Sequence, residues 1–247
     1  MKTTRAAVLV LLVACGAKTP AGGIGNQGAG ATTTGPAPTV TWNGGTPETG
    51  FGGFTTTGLP AIAADGSAVL LAVVDDDGAR GFPNLALVER GRDDRDLATR
   101  VVLALPTGND EPAAPTDVAG ANQWLTERHR LHDWKALTAA GSKPAPDEAG
   151  GDESEEQVVT LGAVEVHWNE GHLVVTSGGA TMVDATHADW TVKPYPMCQS
   201  CAETCENPSS LRAVVGDVAR RLIVVTIGYH GNDSCWEPTA VQHVVSW

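Results

Sequence analysis

Ile62-Ala63-Ala64-Asp65-Gly66-Ser67-Ala68-Val69-Leu70-Leu71-Ala72-Val73-Val74 is the stretch that decides the fold. Apolar residues, a turn pair and then an unbroken apolar run that includes Val69–Val74 read as strand, tight turn and second strand. Asp-Gly favours a hairpin because both central residues of a common two-residue turn need positive φ. Val69–Val74 does not alternate apolar with polar, so the strand is expected to be buried on both faces. Asp75-Asp76-Asp77-Gly78 opens a longer turn, and Asn84–Val88 returns as a strand of the same unbroken kind. Arg100–Leu105 adds another, ended by Pro106.

Thr116–Leu137 is the one clear helix. Pro115 precedes it, Thr116 or Asp117 can cap it, and Gly141 follows it. Ala121, Trp124, Leu125, Leu131, Trp134 and Leu137 recur near one face, opposite Glu127, Arg130, Asp133 and Lys135. An aromatic stripe of this kind is expected to pack on a sheet rather than to line a ligand site.

The second half returns to β. Val158–Leu161 and Val164–Trp168 lead to the turn Asn169-Glu170-Gly171, His172–Thr176 goes back, and Ala180–Val183 adds a strand. Leu222–Gly228 and Ala240–Val245 are the last two apolar segments. A short internal echo links the halves. Ala64-Asp65 with Leu70 and Val73 matches Gly216-Asp217 with Leu222 and Val225, as in a repeated strand–turn–strand unit. The expected fold class is mainly β: antiparallel sheets, sandwich-like or as two packed β halves, with one amphipathic helix.

The expected organisation follows from composition. Residues 1–14 are a leader and 15–50 a flexible tether. Residues 51–140 hold β hairpins and the helix, 141–157 an acidic linker, and 158–247 a disulfide-bearing β half. Gly, Thr, Ala and Pro make up 27 of the 35 residues from 16 to 50, too little apolar surface to offset the entropy of ordering. Within it Trp42 is the exception, a candidate for docking on the domain. The linker gathers Asp147, Glu148, Asp152, Glu153, Glu155 and Glu156 among Gly and Pro, and such like charges stay solvated. Against 29 Asp and Glu stand 16 Lys and Arg, without a basic cluster, which excludes nucleic acid as a partner class. Aromatic residues are 5% of the chain, too few for the two girdles of an outer-membrane barrel.

Cys198, Cys201, Cys205 and Cys235 are the main chemical constellation. In an oxidising compartment they are expected as disulfides. Every full pairing of four cysteines ties Cys235 back to the 198–205 cluster. The favoured pattern is Cys205–Cys235 with Cys198–Cys201. Closing the longer loop would stabilise by roughly 3–4 kcal/mol. A rival reading takes Cys198, Cys201 and Cys205 as thiolate ligands for zinc or cuprous copper. Another takes the Cys-x-x-Cys pair as redox-active, without the strand–helix setting of the thioredoxin motif.

His129 and His132 stand three apart on the helix, and His167 and His172 flank a turn. Either pair could meet a metal, yet no His-Glu-x-x-His pattern is present, and hydrogen-bonded or exposed histidine is expected. His187, His230 and His243 complete the set. Asp75, Asp76, Asp77 and Gly78 invite a calcium loop, but Ala79 and Ala86 occupy ligand positions, so a solvated turn is expected. Gly231-Asn232-Asp233-Ser234-Cys235-Trp236 reads as a hairpin end, with Trp236 over the sulfur. There is no Gly-x-Ser-x-Gly elbow, Ser-x-x-Lys pair or phosphate-cradling glycine loop.

The N-terminus carries Lys2 and Arg5, then an unbroken apolar run Ala6–Val13, then Ala14-Cys15-Gly16. Charge, a short apolar run and small residues form the layout of an export signal, and the run is too short to span a bilayer. Leu12-Val13-Ala14-Cys15 is similar to the lipobox of bacterial lipoproteins. The resemblance covers the leader alone. It implies that Cys15 is lipid-modified, becomes the new N-terminus and carries palmitate-type acyl chains, enough for stable anchoring. Gly16, rather than Asp, implies sorting to the outer membrane, facing periplasm or exterior.

The expected role is therefore a non-catalytic binding or structural module of the cell envelope. It would be held to the membrane through its N-terminal lipid, with an envelope protein or glycan as partner and no cofactor. One alternative is a thiolate metal-binding or thiol-redox lipoprotein. A second is an envelope hydrolase without a known motif, using His167 or His172 with carboxylates.

Overall fold

A computed structural model describes residues 35–44, 53–74, 84–104, 117–140, 156–169, 171–186, 208–229 and 240–247, all within the unit Ala31–Trp247. Among the described residues the fold is mainly β: four antiparallel sheets and one α-helix, with 60% of those residues in strands. Fifteen strands occur among the described residues: β1 Thr39–Trp42, β2 Phe54–Thr57, β3 Ala61–Ile62, β4 Ala68–Val73, β5 Leu85–Gly91, β6 Asp96–Leu103, β7 Lys135–Ala136, β8 Thr138–Ala139, β9 Gln157–Leu161, β10 Val164–Asn169, β11 His172–Ser177, β12 Ala180–Ala185, β13 Pro208–Asp217, β14 Leu222–Tyr229 and β15 Ala240–Ser246. Helix α1 is Val118–His132. The ribbon β1-β2 stands beside sheet I (β6-β5-β4-β3-β7), sheet II (β15-β14-β13-β8) and sheet III (β12-β11-β10-β9).

Three hydrophobic clusters stack these elements in layers. Leu70, Leu85, Leu87, Ala121, Leu125, Trp134 and Val40 join sheet I to α1 and the ribbon. Ile62, Val69, Leu71, Ala86 and Val88 meet Leu222, Val224 and Val244 between sheets I and II. Ile223, Val225, Ile227 and Val241 meet Val164, Val166, Trp168, Leu173 and Val175 between sheets II and III. Successive residues of one strand therefore enter different cores: Leu70 toward α1, Leu71 toward sheet II. That is why the strands lack polar alternation, and all seven residues of β5 are buried.

The hairpin at Asp65-Gly66 forms, with Ile62 opposite Val69, but not as a two-residue turn. Ala63 N–H donates to the Ala68 carbonyl, closing a longer loop. Gly66 has φ 73° while Asp65 stays out of the left-handed region. Asp65 Oδ1 instead accepts from Ser67 N and Oγ, at 2.9 and 2.7 Å. These bonds, the side-chain one foremost, hold the Asp65 carboxyl below the usual carboxylate range.

The helix is shorter than the periodicity predicts. It ends at His132, where Asp133 takes φ 47° and returns its N–H to the His129 carbonyl. Trp134 turns into the core beyond that cap, and Leu131 is left 71% exposed. His129 takes the buried place, at the spacing set by Ala121 and Leu125. The segment after the cap crosses between layers: β7 pairs with β3 of sheet I, and β8 with β13 of sheet II.

The stretch 15–50, expected as tether, contributes β1. Val40 is buried, and its backbone N–H and carbonyl both bond the Asn122 carboxamide, at 2.8 and 2.9 Å. Trp42 packs on Phe54, with ring centroids 4.9 Å apart. The internal echo has a structural counterpart. β3-β4-β5 and β13-β14-β15 are the same antiparallel meander, each flanked by a short strand of the 135–139 segment. Equivalent residues face the same way along the stack: Leu70 toward α1 and Leu222 toward sheet I. Among the described residues no helix is long and apolar enough to cross a membrane.

Leu71→Ala should cost about 2–5 kcal/mol by leaving a cavity between two sheets. Leu131→Ala should stay within about 0.5 kcal/mol. Urea denaturation of both variants measures the contrast, and equal effects would contradict the layering.

Candidate functional site

The charged residues concentrate where sheet I meets sheet II. Arg90 follows four apolar residues and Glu89 on β5 and is buried. A buried guanidinium needs partners, since desolvation of an unpaired charge costs several kcal/mol. Arg90 Nε donates to Asp96 Oδ1 at 2.7 Å, and Nη1 donates to the Gln242 carbonyl and lies 3.5 Å from Asp94 Oδ1. Asp94 sits in the β5–β6 turn at φ 61°, a left-handed conformation that aspartate tolerates better than most residues. From there Oδ1 accepts the Val244 N–H at 2.8 Å and Oδ2 lies 2.9 Å from His243 Nδ1. An ionised carboxylate only accepts, so Nδ1 carries the proton. Two backbone groups of the edge strand β15 are thus bonded by side chains.

The neighbouring turns join in. Arg92 Nη1 donates to the carbonyls of Gly66 and Arg220, at 3.2 and 3.0 Å, and Nη2 to that of Arg221 at 3.1 Å. Arg220, paired with Asp217, donates through Nε and Nη2 to the Ala64 carbonyl at 3.2 and 2.9 Å. Ser246 Oγ donates to the Arg92 carbonyl at 3.0 Å.

A second cluster lies between β5 and α1. Glu89, with a side chain 4% exposed, has Oε2 3.4 Å from Arg128 Nη1 and Oε1 3.3 Å from His132 Nε2. Arg128 lies over the Trp124 ring at 5.3 Å, and the His132 ring packs tilted against Trp134, with centroids 4.8 Å apart. His129, one turn back, reaches the Gly35 carbonyl at 3.0 Å. The two helix histidines therefore serve separate partners and share no site.

The third polar surface is the outer face of sheet III. His167 Nδ1 is 2.9 Å from Glu156 and its Nε2 3.7 Å from Glu165. His172 Nε2 is 2.6 Å from Asp184. His167 stands opposite Val174, and His172 opposite Asn169, so the two histidines are not cross-strand partners. Among the described residues no hydroxyl or thiol bonds His129, His132, His167 or His172, and no group of three His, Cys, Asp or Glu could hold a metal.

Cys15, Cys198, Cys201, Cys205 and Cys235 lie outside the described residues, as do His187, His230, the Asp75–Gly78 turn and the Gly231–Trp236 stretch. Sequence reasoning missed Glu89, Arg90, Arg92, Asp94 and Arg220. The available signal was Glu89-Arg90 at the end of a strand expected to be buried on both faces: charge there has to be paired. Comparison of the chain with family models, curated proteins and solved structures gives no match.

Burial alone would raise the Asp94 carboxyl. The hydrogen bond and charge of His243, the Val244 N–H and the Arg90 charge outweigh it and hold the group below its ordinary value. Its stabilisation is complete above about pH 5 and is lost as the pH falls through the folded value. Asp94→Asn should cost about 1–3 kcal/mol at neutral pH, and the difference from wild type should shrink in acid. Urea melts across that range test this; a difference independent of pH would contradict it.

Proposed function

We propose that the protein is an exported, non-catalytic binding or structural module of the cell envelope, held to the membrane by lipid on Cys15. One observation carries the non-catalytic part. The charged side chains within the layers are engaged in tying sheet to sheet and helix to sheet: Arg90, Arg92, Asp94 and Arg220 at one seam, Glu89 and Arg128 at the other. A catalytic constellation would instead converge a nucleophile, a base and an orienting group on one point. The anchor rests on the likeness of Leu12-Val13-Ala14-Cys15 to a lipobox, with outer-membrane sorting from Gly16.

The disulfide reading of Cys198, Cys201, Cys205 and Cys235 gains support from register. Pro208, three residues after Cys205, pairs with Tyr229, and Gly228 pairs with Ala240, five residues after Cys235. Both cysteine-bearing stretches thus attach at one end of sheet II. The rival metal or thiol-redox reading uses Cys198, Cys201 and Cys205 as free thiolates.

Protein purified from its native membranes separates these readings. The expected mass is that of a chain beginning at acylated Cys15, with no free thiol and no bound metal. Free thiols with stoichiometric zinc or copper would establish the rival, and an unprocessed leader would remove the anchor. Turnover abolished by His167→Ala or His172→Ala would replace both with a hydrolase.

A further inference from the structure

The segment Pro144–Val192 contains ten of the 29 Asp and Glu and neither Lys nor Arg. Sheet III lies within that segment. Its inner face fills the core with sheet II, and its outer face alternates with it. One row across the strands is Val158, His167, Val174 and Asp184; the next is Thr160, Glu165, Thr176 and Thr181. Val174, half-buried, and Val158, 50% exposed on the edge strand β9, stand on either side of His167 in the first row, so apolar and polar groups alternate across the surface. Glu156, Glu165 and Asp184 lie among them, with side chains more than half exposed.

We propose that this face docks a cationic polypeptide segment, one presenting Lys or Arg beside an apolar side chain. This rests on reading the protein as a binding module and names its surface. The two valines offer apolar contact among the carboxylates, and complementary charge gives the partner its specificity. Like charge disfavours the other occupants. A second copy would set carboxylate against carboxylate, and nucleic acid and anionic lipid are repelled alike.

The probe is a short fluorescent peptide alternating lysine with valine, titrated by anisotropy into the full chain held in neutral detergent. Binding should weaken as salt rises, and a glutamate–valine peptide should not bind. Glu165→Lys with Asp184→Lys should weaken binding at least about tenfold. The matched reversal Glu127→Lys with Asp93→Lys, on exposed acids elsewhere, should change it less than about twofold. Hydrogen exchange on the wild-type chain, independent of any variant, should show peptide protection confined to 157–185. No binding, equal loss in both reversals, or protection elsewhere would overturn the proposal. An envelope partner captured equally by wild type and the Glu165/Asp184 reversal would leave the module standing and remove this face from it.

Discussion

The turn after β5 sets the constraint on which the layered structure depends. Sheets I and II are each covered on both faces, so their packing is apolar and carries little directional information. Apolar sheets can slide or pair wrongly along an edge. Here the edge strand β15 meets Asp94 and Arg90, which bond the Val244 N–H and the Gln242 carbonyl. A carboxylate and a guanidinium thus take the places that another strand would fill. They fix sheet II along sheet I to the residue, because a shift by one would present groups that point the other way. Arg92 and Arg220 repeat the device at the adjoining turns, with carbonyl oxygens as acceptors.

The chain reaches this stack by using one topology twice. Sheet II is the meander β13-β14-β15 and sheet I the meander β3-β4-β5 continued by β6, each with a two-residue strand added beside its first member. Both additions come from Lys135–Ala139, just after the αL residue that ends α1. Leu137, between them, donates its N–H to the Pro60 carbonyl and packs into the cluster between the sheets. The helix cap therefore does more than stop a helix. It turns the chain so that one short segment closes an edge position in both sheets.

The fold class was legible because period and burial agree in most strands. Unbroken runs at Val69–Val74 and Asn84–Val88 signalled two-faced burial, and the layers supply it through Leu71 and Val88; beyond Leu71 the first run emerges, with Val74 45% exposed, and β6, expected to be buried alike, alternates instead. The early end of α1 was not legible: Trp134 and Leu137 keep helical spacing with Leu125, and only a tertiary contact, the Ala64 N–H on the His132 carbonyl, accompanies the break. β13 was missed because Arg212 and Gly216 interrupt its apolar pattern and a register shift after Leu211 changes its parity. β1 was hidden by tether-like composition. It is held by Asn122 bonding both polar groups of Val40, by pairing with β2 and by the Trp42–Phe54 contact, none of which local propensity reveals. The polar seam was legible only as an anomaly, Glu89-Arg90 inside an apolar strand, because its partners lie on distant parts of the chain.

What the architecture leaves available follows from the same constraint. A sheet covered on both faces offers a partner only its edges, and the β15 edge is partly occupied by side chains of the same chain. Among the described residues, the broad faces covered by no second sheet belong to the outer layers, α1 with its ribbon on one side and sheet III on the other. Val164-Glu165-Val166-His167-Trp168-Asn169 shows the difference in its own pattern. Its even-numbered members are buried, and the rest face outward with charge or hydrogen-bonding capacity. Only where a strand is free to be polar every second residue can the sequence vary its chemistry without disturbing the core. The stack thus separates the residues that hold the molecule together from those left to act on something else.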